Sequence, residues 1–260
     1  MEPRLPKPPA ETLSPEEQQT YQWQMWTQGI GEQGQRRLKN STVLISRCGG
    51  LGSVVAYELA AAGVGRLILA HGGNVKPSDL NRQLLMTHSW LGKPRVESAE
   101  RRLKELNPRI DIVKINANLD DRLANQWVPQ SDVCVGAAPL FEERFSMSDA
   151  CVLHQRPLVD CAMFDMEASV TTYPPGGNPC LRCVTPEIPE FWKREFPVFG
   201  ATSGTVGCLG ALEAIKLITG VGKPLFDRTL RMDLREMTFR EFSLAGVERC
   251  SHCQEKQTVV

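Results

Sequence analysis

The sequence predicts an α/β protein: a doubly wound, mostly parallel sheet that takes on antiparallel strands toward its C-terminal end. Three observations carry this. Residues 42–65, TVLISRCGGLGSVVAYELAAAGVG, read as a short buried strand, a glycine turn and an Ala-rich helix. Strand-like and helix-like stretches then alternate to about residue 165, the pattern of a parallel sheet. Beyond it, residues 169–173, 229–233 and 237–244 read as antiparallel strands.

In chain order, residues 1–13 carry Pro3, Pro6, Pro8 and Pro9 and are expected to form a flexible arm, since proline resists both helix and sheet. Ser14 caps a helix with Pro15 at its first position and Glu16 and Glu17 in its first turn. Tyr21, Trp23 and Trp26 on that helix are expected to be packing surface, against the core or a second subunit. In the central unit Gly49, Gly50 and Gly52 make the turn, with Ser53 near the helix start and Gly63 at its end. Such a turn aims backbone N–H groups and the helix dipole at one spot, which suits a phosphate; glycines there also serve merely to let helix and strand pack closely.

Residues 66–70 form the second strand, and 71–83 leave its carboxyl edge as a long loop, where ligands sit in doubly wound sheets. Helices are expected over 96–106, 142–155 and 205–219, with strands at 111–115, 132–136 and 157–162. A Rossmann-like single domain, 14–253, follows, with a nucleotide-binding-like half to about 165, a second half from 166 and a flexible tail at 254–260.

Thirty basic residues balance thirty acidic ones, so nothing global attracts nucleic acid or an anionic membrane. No run of 18 apolar residues and no signal-peptide core occurs, so a cytoplasmic location is expected. Nine cysteines, an odd number with two Cys-x-x-Cys pairs, favour a metal over disulfides in a reducing compartment. Cys180, Cys183, Cys250 and Cys253 would supply four thiolates to one tetrahedral zinc, and a site filled entirely by protein is structural rather than catalytic. His252 is a competing ligand inside the second pair.

GGLGS at 49–53, SDLNRQ at 78–83, GKPRVESA at 92–99, CLRC at 180–183, the helix motif at 207–224 and CSHC at 250–253 stand in one order. Over residues 20–253 the chain thereby resembles the HesA/MoeB/ThiF proteins, bacterial relatives of ubiquitin-activating enzymes. The resemblance implies a homodimer with one structural zinc per chain. It also implies ATP and magnesium as cofactors for adenylating the C-terminal carboxylate of a small ubiquitin-like or sulfur-carrier protein. A carboxylate is a weak nucleophile, so such a site works by alignment and by cations that stabilise phosphate charge.

This chain departs from that pattern where the nucleotide would sit. The glycine that opens the family's turn is Arg47, whose side chain is expected to enter the nucleotide's space. The ribose acid falls on His71 and the second acid of its Asp-x-Asp pattern on Gly73; the partner-reaching arginine falls on Trp23, and the magnesium aspartate on Pro139. Arg82 is retained as the candidate catalytic residue, with Asp79 in place of an asparagine. The family's phosphate lysine becomes Arg95, for which Lys93 is a possible substitute, and Glu142 or Glu143 are possible metal ligands.

The ligand site expected from sequence is therefore Arg47, Gly49, Gly50, Gly52, His71, Asp79, Arg82, Lys93 and Arg95. Cys208, near the expected start of an apolar helix, and Cys48 beside the turn are candidate reactive thiols, while Cys134, Cys151 and Cys161 read as core. The loop with Phe191, Trp192 and Phe196 is either a partner surface or a helical lid. Two functions remain open: a non-adenylating binding protein with a degenerate or remodelled ATP site, or an adenylyltransferase that uses substitute residues. A nicotinamide-dependent oxidoreductase is disfavoured, because no acid follows the second strand to hold a ribose.

Overall fold

The switch point of the sheet follows from how the chain visits its strands. β1 (Thr42–Ser46), β2 (Arg66–Ala70), β3 (Asp111–Ile115), β4 (Val133–Gly136) and β5 (Leu158–Phe164) run parallel. β6 (Glu167–Tyr173), β7 (Arg228–Asp233) and β8 (Thr238–Ser243) continue the sheet antiparallel, in the order β3-β2-β1-β4-β5-β6-β7-β8. The chain leaves β1 toward β2 and β3 and returns on its other side with β4. A crevice therefore opens between β1 and β4 at their carboxyl ends, where doubly wound sheets bind ligands. This computed structural model describes residues 12–190, 192–193, 195–244 and 250–254. The first eleven residues of the expected arm, and the tail beyond 254, lie outside the described residues.

Every residue of β1 is buried, as its unbroken apolar and β-branched run requires. α3 (Gly50–Ala61), α4 (Arg95–Leu106) and α8 (Gly200–Thr219) cover one face of the sheet. α5 (Asp121–Trp127) and α6 (Phe141–Leu153) cover the other. α3 and α8 approach so closely that a Cβ at Gly207 would lie 2.7 Å from Val54 Cβ. α8 is long and apolar enough to cross a membrane by length and composition, but it packs on α3 and β5 as a core helix.

α1 (Pro15–Met25) starts as expected, with Ser14 Oγ accepting from Glu17 N at 3.2 Å and Glu17 Oε2 accepting from Ser14 N at 2.7 Å. Leu13 is buried, so the last residue of the expected flexible arm packs in the core. Of the three aromatics on α1 only Tyr21 is buried; Trp23 and Trp26 are 80% and 71% exposed and do not pack on this chain's core. α2 (Gly31–Lys39) and α5 are not anticipated by the sequence reading. Two starts are earlier than expected. α3 begins at Gly50 with Gly49 as cap, so Ser53 sits a turn inside and accepts from Leu84 N at 3.2 Å. α8 begins at Gly200, since its first turn is made of small residues with weak helical patterning.

Candidate functional site

A cleft of about 490 Å³ opens at the carboxyl ends of β1, β4 and β5, over the switch point. The glycine turn and His71 line its base, the loop after β2 supplies Lys76, Asp79, Arg82 and Gln83, and Met163, Trp192 and Phe196 form an apolar wall. Gly52 is required at the turn, because a Cβ there would fall 1.8 Å from Arg47 O.

Arg47 has a left-handed backbone, φ 68°, where the family pattern has glycine. Its side chain lines the cleft but is not free there. Nε donates to Glu143 Oε2 at 2.8 Å and Nη2 donates to Oε1 of the same carboxylate. Both residues are buried. Arg47 follows β1 and Glu143 lies in the first turn of α6, after β4, so the ion pair bridges the crevice at the switch point. Glu143 is thereby committed and is not a free metal ligand; Glu142 is exposed and does not line the cleft.

His71 is neutral: burial, then the charges of Arg47 and Arg95, hold its imidazole down at about 3. Its Nδ1 lies 3.6 Å from Cys48 Sγ, and burial pushes that thiol up to about 12. Two neutral groups thus face each other, and Cys48 lacks the thiolate character of a reactive cysteine. Cys208 fares no better. It lies two turns inside α8, away from the helix N-terminus, and partial burial followed by Glu58 raises its thiol.

Asp79 and Arg95 neutralise each other. The carboxylate accepts from Arg95 Nε at 3.0 Å and Nη2 at 2.7 Å, from Lys76 N at 2.9 Å and from Gln83 Nε2 at 2.8 Å. Arg95 also donates to Gly72 O at 3.1 Å. Lys93, expected as a phosphate ligand, instead has its Nζ 4.6 Å from the Trp90 ring centroid and does not line the cleft. Lys76 does, a residue the sequence reading passed over.

Arg144 also lines the cleft unforeseen, and it is paired to buried Asp160 at 2.6 and 3.2 Å. Among the described residues Arg82 bonds only neutral oxygens, Ser78 O at 2.7 Å and Asn81 Oδ1 at 2.9 Å, and no carboxylate pairs with it. Among the described residues lining the cleft, the carboxylates are Asp79, which is committed, and exposed Glu195. An ATP–magnesium complex does not fit this donor set: an imidazole replaces the ribose acid, and no buried carboxylate is left for the ion.

Trp192 and Phe196 pack with Phe164, and Trp192 meets Phe141 edge-on at 5.3 Å. The described residues of this segment form no helix; Phe191 lies outside the described residues.

Cys180 and Cys183 open α7 (Leu181–Val184), and Cys250 and Cys253 flank the start of α9 (Ser251–Gln254). Their four sulfurs lie within 4.8 Å of one another. Sγ separations of 3.7 Å for Cys180–Cys183, 3.9 Å for Cys180–Cys250 and 3.8 Å for Cys183–Cys253 match the edge of a tetrahedron with metal–sulfur bonds of about 2.3 Å, which is about 3.8 Å. His252 is not in the cluster.

A mostly parallel sheet with a glycine turn and a cleft at its switch point defines a Rossmann-like α/β protein. Residues 21–253 match the ThiF family, and the chain belongs to it. It is 46% identical over 241 residues to the heterocyst protein HesA of Trichormus variabilis, across 93% of this chain and 90% of that one. It is 38% identical to the adenylyltransferase and sulfurtransferase MOCS3-1 of Zea mays, across 87% of this chain and 49% of that one. A crystal structure of E. coli MccB with ATP superposes with TM-score 0.77 at 27% identity, covering 85% of this chain and 69% of that one.

Proposed function

We propose that this chain is a non-adenylating member of its family, a binding protein whose nucleotide site has been remodelled. The Arg47–Glu143 pair carries this reading: it lies across the crevice that a nucleotide would enter. The neutral imidazole at position 71 and the Asp79–Arg95 pair point the same way, since both replace groups that would grip ribose and phosphate. What the cleft keeps is a helix N-terminus, Arg82 and Lys76, enough for a ligand of low charge.

The four-cysteine cluster is read as one structural zinc, because thiolates at tetrahedral spacing select that metal in a reducing compartment. A cytoplasmic homodimer with a small ubiquitin-like or sulfur-carrier partner completes the proposal. Tyr57, Leu84, Phe199 and Leu212 are exposed apolar positions available to one of these contacts.

The second reading, adenylation of such a carrier through substitute residues, draws on the maize relative's name, on MccB crystallised with ATP and on Arg82, which pairs with no carboxylate among the described residues. ATP–pyrophosphate exchange in the presence of candidate carriers separates the two. No exchange is expected; turnover that disappears in Arg82→Ala would overturn the binding-protein reading.

A further inference from the structure

We infer that a second cavity, on the sheet edge opposite the switch-point cleft, binds an amphipathic monoanion: an apolar ring or chain that carries one carboxylate or sulfonate. The inference is independent of how the cleft itself is read.

The hollow, about 890 Å³, lies at the amino ends of β1, β4 and β5, where the last turns of α2 and α8 meet. Small-molecule sites run from about 300 to about 1,000 Å³, so its size suits one such ligand. Val133, Pro157, Leu217, Ile218, Pro224 and Phe226 give it apolar walls. Covering them takes apolar surface out of water, which favours a ligand with an apolar body.

The charged residues beside these walls are Arg36, Arg37, Lys216 and Asp132, and three of them are answered. Arg36 pairs with Glu32, Lys216 pairs with Glu213 and donates to Lys223 O at 3.0 Å, and Asp132 Oδ2 accepts from Thr42 N at 2.8 Å. Arg37 has no carboxylate partner among the described residues. Its Nη1 donates to Thr219 O at 2.6 Å, which holds the guanidinium against the end of α8. Gly220 leaves that nitrogen room, since a Cβ there would lie 3.4 Å from it. Basic residues at the end of α2 also suit its helix dipole, but that explains their sign and not the apolar hollow beside them. One unanswered cation next to apolar walls calls for one negative charge on an apolar body. A polyanion would find no further free cation and would face Asp132.

The test is fluorescence titration of the full chain with anilinonaphthalene sulfonate, an aromatic monoanion, and with its neutral counterpart N-phenylnaphthylamine. One sulfonate per chain is expected, bound about fivefold more tightly than the neutral compound, the scale of one partly exposed ion pair. Arg37→Gln is expected to remove that advantage and Arg37→Lys to keep most of it. Raising sodium chloride from about 0.05 to about 0.5 M should weaken the sulfonate and leave the neutral compound unchanged. This readout uses the wild-type chain, so it decides the matter even where Arg37→Gln lowers the thermal midpoint. Displacement of the probe by naphthoate at a lower concentration than decanoate would identify an aromatic acid as the source; the reverse order would identify an acyl chain. Equal binding of the neutral compound, undiminished binding in Arg37→Gln, binding without saturation, or displacement by neither acid would overturn the inference.

Discussion

Arg47 and Glu143 join β1 to α6 through two charge-assisted hydrogen bonds across the switch point of the sheet. The arginine holds a left-handed backbone to do so, which costs a residue other than glycine about 1–2 kcal/mol. The pair ties the two sides of the crevice together.

Arg47→Gly relieves that backbone strain but strands a buried carboxylate. Removing one partner of a buried pair costs about 3–5 kcal/mol. Urea denaturation is therefore expected to show a net loss of about 1–4 kcal/mol, after the relief at position 47 is set against it. Arg47→Gly with Glu143→Leu is expected to recover most of the loss, because no charge is left unpaired. Wild-type stability in the single variant would show that the pair does not hold the crevice.

Arg95 serves Asp79 with two nitrogens and Gly72 O with a third, a geometry that only a planar guanidinium reaches. Arg95→Lys is expected to destabilise the fold by about 1–3 kcal/mol although the charge is kept. The same denaturation curves measure it, and a neutral effect would mean that the contact is optional.

The frame was legible in the sequence because its signals are local. TVLIS, the glycine turn and two Cys-x-x-Cys pairs each announce a structure within a few residues. α5 was missed although Asp120 caps it, accepting from Leu123 N at 2.7 Å; its seven residues give too little periodicity to read. The site was only half legible. That Arg47 and His71 replace expected residues is visible in one dimension, but which acid answers Arg47 depends on pairing across 96 positions. Lys76 and Lys93 differ in the same way: the motif pointed to Lys93, whereas the loop's path brings Lys76 to the cleft and lays Lys93 on Trp90.

His71 makes stability fall as the pH is lowered. Its folded value, about 3, lies below the 6.5 of an unhindered histidine, so the unfolded chain takes up the proton first. The stabilisation is fully present above pH 6.5 and drains away as pH falls toward 3. Between pH 6.5 and about 4.5, before most carboxylates titrate, this one group is expected to remove about 2–3 kcal/mol. His71→Asn should flatten that slope in denaturant titrations at several pH values. An unchanged slope would assign the loss to other groups.

The cysteine cluster fastens residues 250–254 to the strand-rich half of the fold, since Cys250 and Cys253 meet Cys180 and Cys183 across about seventy positions. Metal bound only by the folded chain stabilises it by mass action, so the thermal midpoint should depend on free zinc. One zinc per chain is expected by atomic emission. A strong chelator should lower the midpoint and open a protease-sensitive site near the C-terminal pair, with the remainder of the chain degrading later. Cys253→Ser, which removes a buried ligand, should lose the metal and behave as the chelated protein does. Purified protein free of metal, with an unaltered midpoint and an uncut C-terminal segment, would reduce the cluster to four packed thiols.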